Sequence, residues 1–307
     1  MIVIASTVPK VEKILYDAFL QYAPEDSFCL PDDIRATQAT TAACWFPDIE
    51  KIKQLPNLQL IHSMAAGVEH LNLEKIDVNY QVCRIVDDKH KQGMLNYLQW
   101  GILYYQRDFD LYLSQHKQQL WQQWPQHNPQ DISIGIMGLG ELGAYVAEHL
   151  AQQDYQVVGW SKSPKNLNNI TCYTDWNDFD AFLSKSQILI NLLPLTPETK
   201  GILSEATFAK LPQGAALINS GRGDHLVVED LQEYLNSGHL RGAILDVFPN
   251  EPLDQHSVLW SEPKVLITPH IASHTSLKIV VEQILENDQR LKNAESLLNQ
   301  IDVKRGY

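Results

Sequence analysis

Hydrophobic residues recur at two different spacings over the first ninety positions of the chain. Short apolar runs alternate with stretches of helical spacing, and the first run is "MIVIAS". Residues 8–23 place apolar side chains three and four positions apart, as one face of a helix does. Later short runs are "SFCL", "TAACWF", "LQLIHSMAA" and "YQVCRIV". Strands that alternate with helices predict βαβ units and a parallel sheet.

A second series of apolar runs follows one long helix and a polar arm. Residues from about 90 to 113 predict the helix, and residues 114–130 form the arm. The next runs predict a second parallel sheet; they are "ISIGIMGLGELG", "YQVVGW", "QILINLLP", "GAALINS", "GAILDVF" and "KVLITPH". Residues 277–298 return to helical spacing. A chain of 307 residues has room for two such α/β domains.

The arm, residues 114–130, holds two tryptophans, Trp121 and Trp124. Exposed tryptophan is unfavourable unless another surface covers it, and aromatic residues are enriched at protein interfaces. The arm is therefore interpreted either as a surface loop or as a contact between subunits.

Composition adds a constraint on the partners of the protein. The chain has 37 acidic and 24 basic residues, which gives a formal charge of −13. That balance argues against nucleic acid and anionic membranes as main partners, since both require a basic surface. It leaves small anionic substrates open, because one local basic pocket can lie inside an acidic protein. The hydrophobic fraction, 44%, is ordinary for a soluble globular protein.

Four widely spaced cysteines and the first residues of the chain bear on its location. No two cysteines form a C-x-x-C pair, so they are interpreted as structural thiols in a reducing compartment. They are Cys29, Cys44, Cys83 and Cys172. The first residues lack the basic start of a signal peptide, and no apolar run approaches the length that crosses a bilayer. A cytoplasmic protein without a metal site is expected.

A glycine-rich turn in "ISIGIMGLGELG" indicates a phosphate site. Its glycines follow an apolar strand and open a helix, which is the context of a dinucleotide-binding loop. They permit a tight turn, close approach of a pyrophosphate and helix packing, in that order. The helix N-terminus adds N–H groups for the anion. A turn set by packing alone is the other interpretation. The predicted cofactor residues are Gly138, Leu139, Gly140, Glu141, Leu142 and Gly143.

The loop after the next predicted strand bears on the choice between NAD and NADP. An NAD-binding protein usually has an acid there for the ribose 2′-hydroxyl group. Positions 160–166 hold no Asp or Glu, and instead offer Trp160, Ser161, Lys162, Ser163 and Lys165. Hydroxyl groups and cations suit a 2′-phosphate, so NADP(H) is favoured and NAD(H) stays possible. A solvated basic loop is the alternative interpretation.

Three chemically distinct side chains follow successive predicted strands. Arg222 follows "GAALINS", Glu251 comes after "GAILDVF", and His270 ends "KVLITPH". The carboxyl ends of parallel strands lie at one edge of the sheet, so these residues are expected to meet. An arginine can bind a 2-oxo acid, and a histidine oriented by a carboxylate can give a proton to its carbonyl oxygen. Taken singly, each residue could instead cap a turn or face solvent.

These motifs occur together, in this order, in one family. "GLGELG", "LLPLTPETKGIL", "INSGRG", "LDVFPNEPL" and "ITPHIA" resemble the D-isomer-specific 2-hydroxyacid dehydrogenases along essentially the whole chain. Within that family the chain is most similar to the NADPH-preferring glyoxylate/hydroxypyruvate reductases of the bacterial A type. The alternatives are an NAD-linked dehydrogenase of another 2-hydroxy acid and a non-enzymatic, dinucleotide-sensing regulator on the same scaffold.

The resemblance implies roles for particular residues. Arg222 would bind substrate, Glu251 would support the histidine, and His270 would be the acid/base. Backbone groups of the loop in "SMAAGVEHL" would bind the substrate carboxylate, through Ala66, Gly67 and Val68. Further cofactor contacts would come from Leu193, Pro194, Asn219, Ser220, Gly221, Arg222, Asp246 and His270. Trp45 and Arg84 are weaker candidates for the substrate side.

The resemblance also implies an architecture. It predicts two Rossmann-like, doubly wound α/β domains with a cleft between them. A flavodoxin-like substrate domain would comprise residues 1–100 plus 275–307, and a dinucleotide-binding domain residues 101–274. Relatives in the family are dimers, which makes the arm a candidate subunit contact.

Overall fold

A computed structural model describes residues 1–303. Its strands are β1 Ile2–Ser6, β2 Phe28–Cys29, β3 Thr41–Trp45, β4 Leu60–Ser63, β5 Gln81–Cys83, β6 Ser133–Met137, β7 Gln156–Ser161, β8 Thr171–Thr174, β9 Ile188–Asn191, β10 Ala215–Asn219, β11 Leu240–Leu245 and β12 Val265–Ile267. Its α-helices are α1 Pro9–Tyr22, α2 Ile49–Ile52, α3 Asp88–Gln106, α4 Phe109–Lys117, α5 Glu141–Ala151, α6 Phe179–Leu183, α7 Glu205–Phe208, α8 Val228–Asn236 and α9 Leu277–Lys292. Short 3-10 turns cover Ile34–Gln38, Glu69–Leu71, Leu73–Lys75, Pro129–Asp131, Gly223–His225 and Val258–Ser261.

The chain divides into two compact units. The first unit is Met1–His90 together with the chain from Thr275 onward, and the second unit is Lys91–His274. The sequence placed the domain boundary later, between residues 100 and 101. Both positions lie inside α3, where helical spacing continues without a break that could mark a boundary.

The first unit is built on a five-stranded sheet of order β2-β1-β3-β4-β5. Every pairing in it is parallel. This is the flavodoxin-like order of a doubly wound fold. Helix α9 joins this unit although it follows the second unit in sequence. Its Val280 and Ile284 pack with Leu15 and Phe19 of α1 in one buried cluster, which explains the helical spacing of both segments.

The second unit is built on a seven-stranded parallel sheet of order β12-β11-β10-β9-β6-β7-β8. Side chains alternate between two buried clusters along its central strands. On β9, for example, Ile188 and Ile190 belong to one cluster and Leu189 to the other. A sheet covered on both faces needs such continuous apolar runs. The strand order reverses between β6 and β9, which is the switch point where ligands bind in sheets of this kind. The predicted fold class of two doubly wound α/β domains is thereby confirmed.

Two predicted helices end differently from the sequence prediction. The helix expected over residues 90–113 is broken at Asp108, whose backbone is left-handed with φ 56°. The Asp108 carboxylate lies 2.6 Å from the guanidinium of Arg241 on β11, and this buried ion pair fixes the break. The last helix ends at Lys292 rather than at residue 298, and Ala294 turns the chain with φ 55°. Apolar spacing cannot register either feature.

The cysteines are unpaired, and three of them, Cys29, Cys44 and Cys83, are buried. Burial raises the pKa of Cys83 to about 12, so its thiolate is scarce at neutral pH. This suits structural thiols. Over residues 1–303, no helix has both the length and the apolar character that crossing a membrane requires.

A buried histidine joins β4 to α9 in the first unit. His62 Nδ1 donates to the carbonyl of Ser63 at 2.7 Å, and its Nε2 accepts from the Asn287 amide at 3.0 Å. These two bonds use both ring nitrogens of the neutral form. Complete burial lowers the pKa of His62 from 6.5 to about 4. The folded state therefore favours the neutral ring, with its single proton on Nδ1.

The neutral state of His62 predicts a pH dependence of stability. Above pH 6.5 the ring is neutral in both states, and its contribution is constant. As the pH falls from 6.5 to about 4, only the unfolded state binds the proton, so the free energy of unfolding drops by about 3 kcal/mol. Urea unfolding from pH 8 to pH 4 measures this loss. His62→Gln, which cannot titrate, should have the flatter profile; a constant difference between the two proteins at all pH values would contradict the prediction.

Candidate active site

The glycine loop lies between β6 and α5, at the switch point of the second sheet. Gly138 has φ 101°, a conformation that favours glycine, and its N–H donates to the carbonyl of Trp160 at 2.8 Å. A Cβ atom on Gly143 would lie 1.8 Å from the Gly138 carbonyl oxygen, so α5 packs directly on the loop. A Cβ atom on Gly140 would meet nothing within 4 Å. The middle glycine thus borders open space at a helix N-terminus, as an approaching pyrophosphate requires.

The loop after β7 combines one core residue with exposed polar ones. The Trp160 ring is buried and its Nε1 donates to the Asp175 carbonyl at 2.6 Å, while its backbone is in register with β6 on one side and β8 on the other. The Ser161 hydroxyl donates to the Ser163 carbonyl at 2.7 Å. The exposed ammonium of Lys162 lies 2.8 Å from the carboxylate of Glu198. The sequence interpretation missed this acid, because it is distant in the chain from the loop that it contacts.

Two strand-end turns flank the switch point on β9 and β10. After β9, Leu193 and Pro194 follow, and the Leu193 N–H donates to the Asn191 side chain at 3.2 Å. After β10, the Ser220 hydroxyl is buried without a hydrogen-bond partner in residues 1–303. A buried hydroxyl without a partner is unusual and suits a position that a polar ligand completes. The residues expected at a dinucleotide therefore fit such a group.

Glu251 and His270 form a hydrogen-bonded pair. His270 Nδ1 donates to Glu251 Oε2 at 2.7 Å, and Glu251 Oε1 accepts from the Phe248 N–H at 3.0 Å. One carboxylate oxygen thus orients the imidazole, and the other fixes the carboxylate to the backbone. The His270 backbone is left-handed, with φ 54°, which is uncommon for a residue other than glycine.

The turn that carries Arg222 packs against the loop that carries Glu251. A Cβ atom on Gly223 would lie 1.9 Å from the carbonyl carbon of Phe248, so only glycine permits this approach. Arg222 itself is half-buried, and its Nη1 donates to the Gly221 carbonyl at 2.7 Å. The three predicted side chains therefore follow adjacent strands β10, β11 and β12 at one edge of the sheet.

Asp246 holds the loop on which His270 lies. Its Oδ1 accepts from the Thr268 hydroxyl at 2.6 Å and from the Ile271 N–H at 2.8 Å, and its Oδ2 accepts from the Ala272 N–H at 2.9 Å. The Thr268 hydroxyl also lies 2.7 Å from the Tyr97 hydroxyl. The resemblance placed Asp246 at the cofactor; the structure gives its carboxylate three partners in the segment that follows β12 and carries His270.

The predicted substrate loop follows β4 in the first unit. The Ser63 hydroxyl contacts the carbonyls of Ala65 and Gly67 at 2.9 and 2.8 Å, and Arg84 Nη1 donates to the Ala66 carbonyl at 3.3 Å. These contacts fix the loop from its carbonyl side. Val68, the last of the three predicted residues, is buried.

Trp45 lies beside this loop. Its ring is 4.4 Å from the His70 ring, and His70 belongs to the 3-10 turn that follows Val68. Both weak candidates, Trp45 and Arg84, thus belong to the surroundings of the substrate loop within the first unit.

The sequence interpretation also missed His225, which is fully buried in the turn after Arg222. The runs "ILIN" of β9 and "ALIN" of β10 offered one signal, since each ends in a buried asparagine that contacts this turn. Among residues 1–303, no cluster of three or more histidine, cysteine or acidic side chains could hold a metal ion.

Comparison with known proteins identifies the family of the chain. The family model for "D-isomer specific 2-hydroxyacid dehydrogenase, NAD binding domain" matches residues 100–272, more than half of the chain. The chain belongs to the D-isomer specific 2-hydroxyacid dehydrogenase family. A family member from Klebsiella pneumoniae 342 shares 42% identity, with a TM-score of 0.91 over 99% of this chain and 97% of that one.

Two further solved structures of this family contain cofactor. An enzyme from Xanthobacter autotrophicus Py2, in complex with NADPH and MES, is 32% identical with a TM-score of 0.88. The NADPH-dependent glyoxylate/hydroxypyruvate reductase of Sinorhizobium meliloti, in complex with NADP and sulfate, is 30% identical with the same TM-score. Each comparison covers 100% of this chain and 99% of the other. The chain is thus an oxidoreductase of the 2-hydroxyacid dehydrogenase family.

Proposed function

We propose that the protein reduces small 2-oxo acids with NADPH, with glyoxylate and hydroxypyruvate as the first candidates. The observation that carries this proposal is the 2.7 Å hydrogen bond between Glu251 and His270 at the strand ends of a dinucleotide-binding sheet. The related Sinorhizobium meliloti reductase, which acts on these two substrates, supports the choice. An NAD-linked dehydrogenase of another 2-hydroxy acid is the alternative that the experiments below separate.

His270 is proposed as the acid/base. Because its Nδ1 donates to Glu251, the ring presents Nε2 to the carbonyl oxygen of the substrate. When bound, the reduced nicotinamide cofactor supplies hydride to the carbonyl carbon. His270 gives a proton to the oxygen in this direction and removes it in the reverse one. Glu251 keeps the imidazole oriented through the hydrogen bond to Nδ1.

Arg222 and the loop of the first unit are proposed to bind the substrate. A guanidinium forms paired hydrogen bonds with a carboxylate or with an adjacent carbonyl oxygen, and it stays charged at any physiological pH. The backbone N–H groups of Ala66, Gly67 and Val68 would add donors for the substrate carboxylate. Ser63 and Arg84 hold the carbonyl side of their loop.

NADP(H) is proposed as the preferred cofactor. The β7 loop offers Ser161, Lys162 and Ser163, and it lacks an acid at positions 160–166 that would repel a 2′-phosphate. The relatives that hold NADPH or NADP agree with this assignment. The glycine loop, with open space at Gly140, would take the pyrophosphate.

The reaction is tested by following the oxidation of NADPH and NADH with a panel of 2-oxo acids. Glyoxylate and hydroxypyruvate should give the highest kcat/KM, and NADPH should exceed NADH. A larger 2-oxo acid with NADH as the best pair would instead favour the alternative dehydrogenase. Absence of turnover with every pair would refute the proposed activity.

The acid/base role predicts a separation of catalysis from binding. His270→Ala should lower kcat by about 10²–10⁴-fold, because the proton donor is lost. Its affinity for NADPH, measured by fluorescence titration, should change little. His256→Ala removes another exposed histidine of the second unit and should match the wild type in both measurements. Unchanged turnover in His270→Ala would remove this residue as the acid.

The contact between Lys162 and Glu198 predicts opposite effects on NADPH affinity. Lys162→Ala should weaken NADPH binding roughly tenfold, since a charged donor to phosphate is lost. Glu198→Gln should strengthen it by about two- to fivefold, because a carboxylate no longer competes with the 2′-phosphate for the ammonium group. NADH affinity should stay constant in both variants, since NADH has no such phosphate.

Asp180→Asn is the matched control for these titrations. It removes a carboxylate of similar exposure whose partner, at 2.6 Å, is Lys210 rather than Lys162. If it raised NADPH affinity as much as Glu198→Gln, the effect would come from net charge alone. Equal changes for NADH and NADPH would contradict the assignment of the phosphate to this loop.

A homodimer is proposed as the assembly. The Trp121 side chain in the arm is 95% exposed, and Leu120, Phe109 and Leu113 are exposed nearby in sequence. A second copy of the chain would cover these apolar groups. Light scattering should therefore give twice the chain mass of 34.9 kDa. Trp121→Ser should shift the protein toward the monomer, and a monomeric wild type would refute the assembly.

A cytoplasmic location is proposed on the basis of the unpaired, mostly buried cysteines. Such thiols persist in a reducing compartment and are rare in proteins exposed to oxidation.

A further inference from the structure

A buried histidine contacts the backbone of the proposed substrate arginine. His225 is 0% exposed and ends the 3-10 turn that begins directly after Arg222. The Arg222 N–H donates to His225 Nδ1 at 3.1 Å. The Asn191 amide lies 2.8 Å from the same nitrogen. Two groups that can donate therefore converge on one ring nitrogen.

The neighbouring hydrogen bonds decide which nitrogen of His225 carries the proton. Asn191 Oδ1 accepts from the Leu193 N–H at 3.2 Å, so its amide nitrogen must face Asn219 and His225. Since that nitrogen is a donor, His225 Nδ1 must be the acceptor. The neutral ring then carries its proton on Nε2, which lies 3.3 Å from the Pro194 carbonyl oxygen.

A second buried asparagine holds the other side of the arginine backbone. Asn219 Nδ2 donates to the Arg222 carbonyl at 3.3 Å, and Asn219 Oδ1 accepts from the Gly221 N–H at 3.2 Å. Asn219 is fully buried at the end of β10. Both backbone polar groups of Arg222 are thus bonded to buried side chains, one to His225 and one to Asn219.

The turn that carries Arg222 packs tightly against the buried side chains of Asn191 and His225. A Cβ atom on Gly221 would lie 2.7 Å from Asn191 Nδ2 and 3.0 Å from His225 Nδ1. The turn is therefore packed directly on the polar side chains beneath it. A shift of the His225 ring would be passed to the Arg222 backbone, since no mobile segment separates them.

We propose that His225 is a positioning residue for substrate binding: its unprotonated Nδ1 fixes the Arg222 backbone so that the guanidinium meets the 2-oxo acid. This inference rests on the proposed function, in which Arg222 binds substrate. His225 itself is buried and touches neither substrate nor cofactor in this role.

Three substitutions separate the two nitrogens of the ring. In His225→Asn the amide oxygen occupies the position of Nδ1 and can accept from the Arg222 N–H. In His225→Gln the amide reaches the position of Nε2, near Pro194, and leaves the Nδ1 position without an acceptor. His225→Leu fills a similar volume and offers no acceptor at either position.

Among the three variants, we expect only His225→Asn to retain substrate binding close to that of the wild type. His225→Leu and His225→Gln should lower kcat/KM for the 2-oxo acid on the order of 10- to 100-fold, mainly through a higher KM. His225→Asn should stay within several-fold of the wild type. NADPH affinity, measured by fluorescence titration, should fall less than the affinity for oxamate, measured by calorimetry on the NADPH-saturated protein. Thermal unfolding checks that each variant folds.

The proposal is overturned if His225→Leu or His225→Gln keeps the wild-type KM, or if His225→Asn loses as much as His225→Gln. Should the leucine variant not fold, the asparagine and glutamine variants decide the question. A wild type that turns over no 2-oxo acid refutes the proposed function instead. Crystal structures then test the positioning role of His225 separately. The Arg222 backbone should move in His225→Gln and stay in place in His225→Asn. An unmoved backbone in His225→Gln would refute the positioning role.

Discussion

The geometry of His270, the proposed acid/base residue, depends on one buried carboxylate, that of Asp246. Its oxygens accept from the hydroxyl of Thr268, before His270, and from the N–H groups of Ile271 and Ala272, after it. A buried carboxylate needs such donors, because water is excluded from it. The bonds on both sides keep His270 in its left-handed backbone conformation. The position of the imidazole is therefore set by the loop before any ligand binds.

The fold could be predicted from the sequence wherever apolar spacing was continuous. The runs that form β6, β9, β10 and β11 are buried on both faces, and such runs are typical of central parallel strands. The break at Asp108 could not be found in this way. It depends on an ion pair with Arg241, which lies 133 positions later in the chain. Sequence spacing detects local periodicity, whereas contacts between distant residues decide where an element stops.

In the candidate site, too, some residues could be predicted from the sequence, whereas others depend on contacts between distant positions. Arg222, Glu251 and His270 could be predicted together because parallel topology brings successive strand ends to one edge. His225 was missed, since its contact with Asn191 joins residues 34 positions apart and the paired asparagines at the ends of β9 and β10 were its only signal. The Glu198 carboxylate near the cofactor loop lies 36 positions from Lys162 and was hidden for the same reason. Topology was enough to predict which strand-end residues share one edge of the sheet; the buried residues that hold them in place required coordinates.

The discontinuous first unit has a consequence for how the chain acquires its structure during translation. Residues 1–90 leave the ribosome well before α9, whose Asn287 and Asp288 bond to residues 225 and 247 positions earlier. The second unit is contiguous from Lys91 to His274, so all of its strands emerge before that helix does. The apolar surface of the amino-terminal sheet that α9 covers therefore stays exposed until α9 has been synthesised. All strands of the second unit are available for folding before that point. Chaperone contacts with the nascent chain are accordingly expected to concentrate on the surface of β1 and α1 that α9 finally covers.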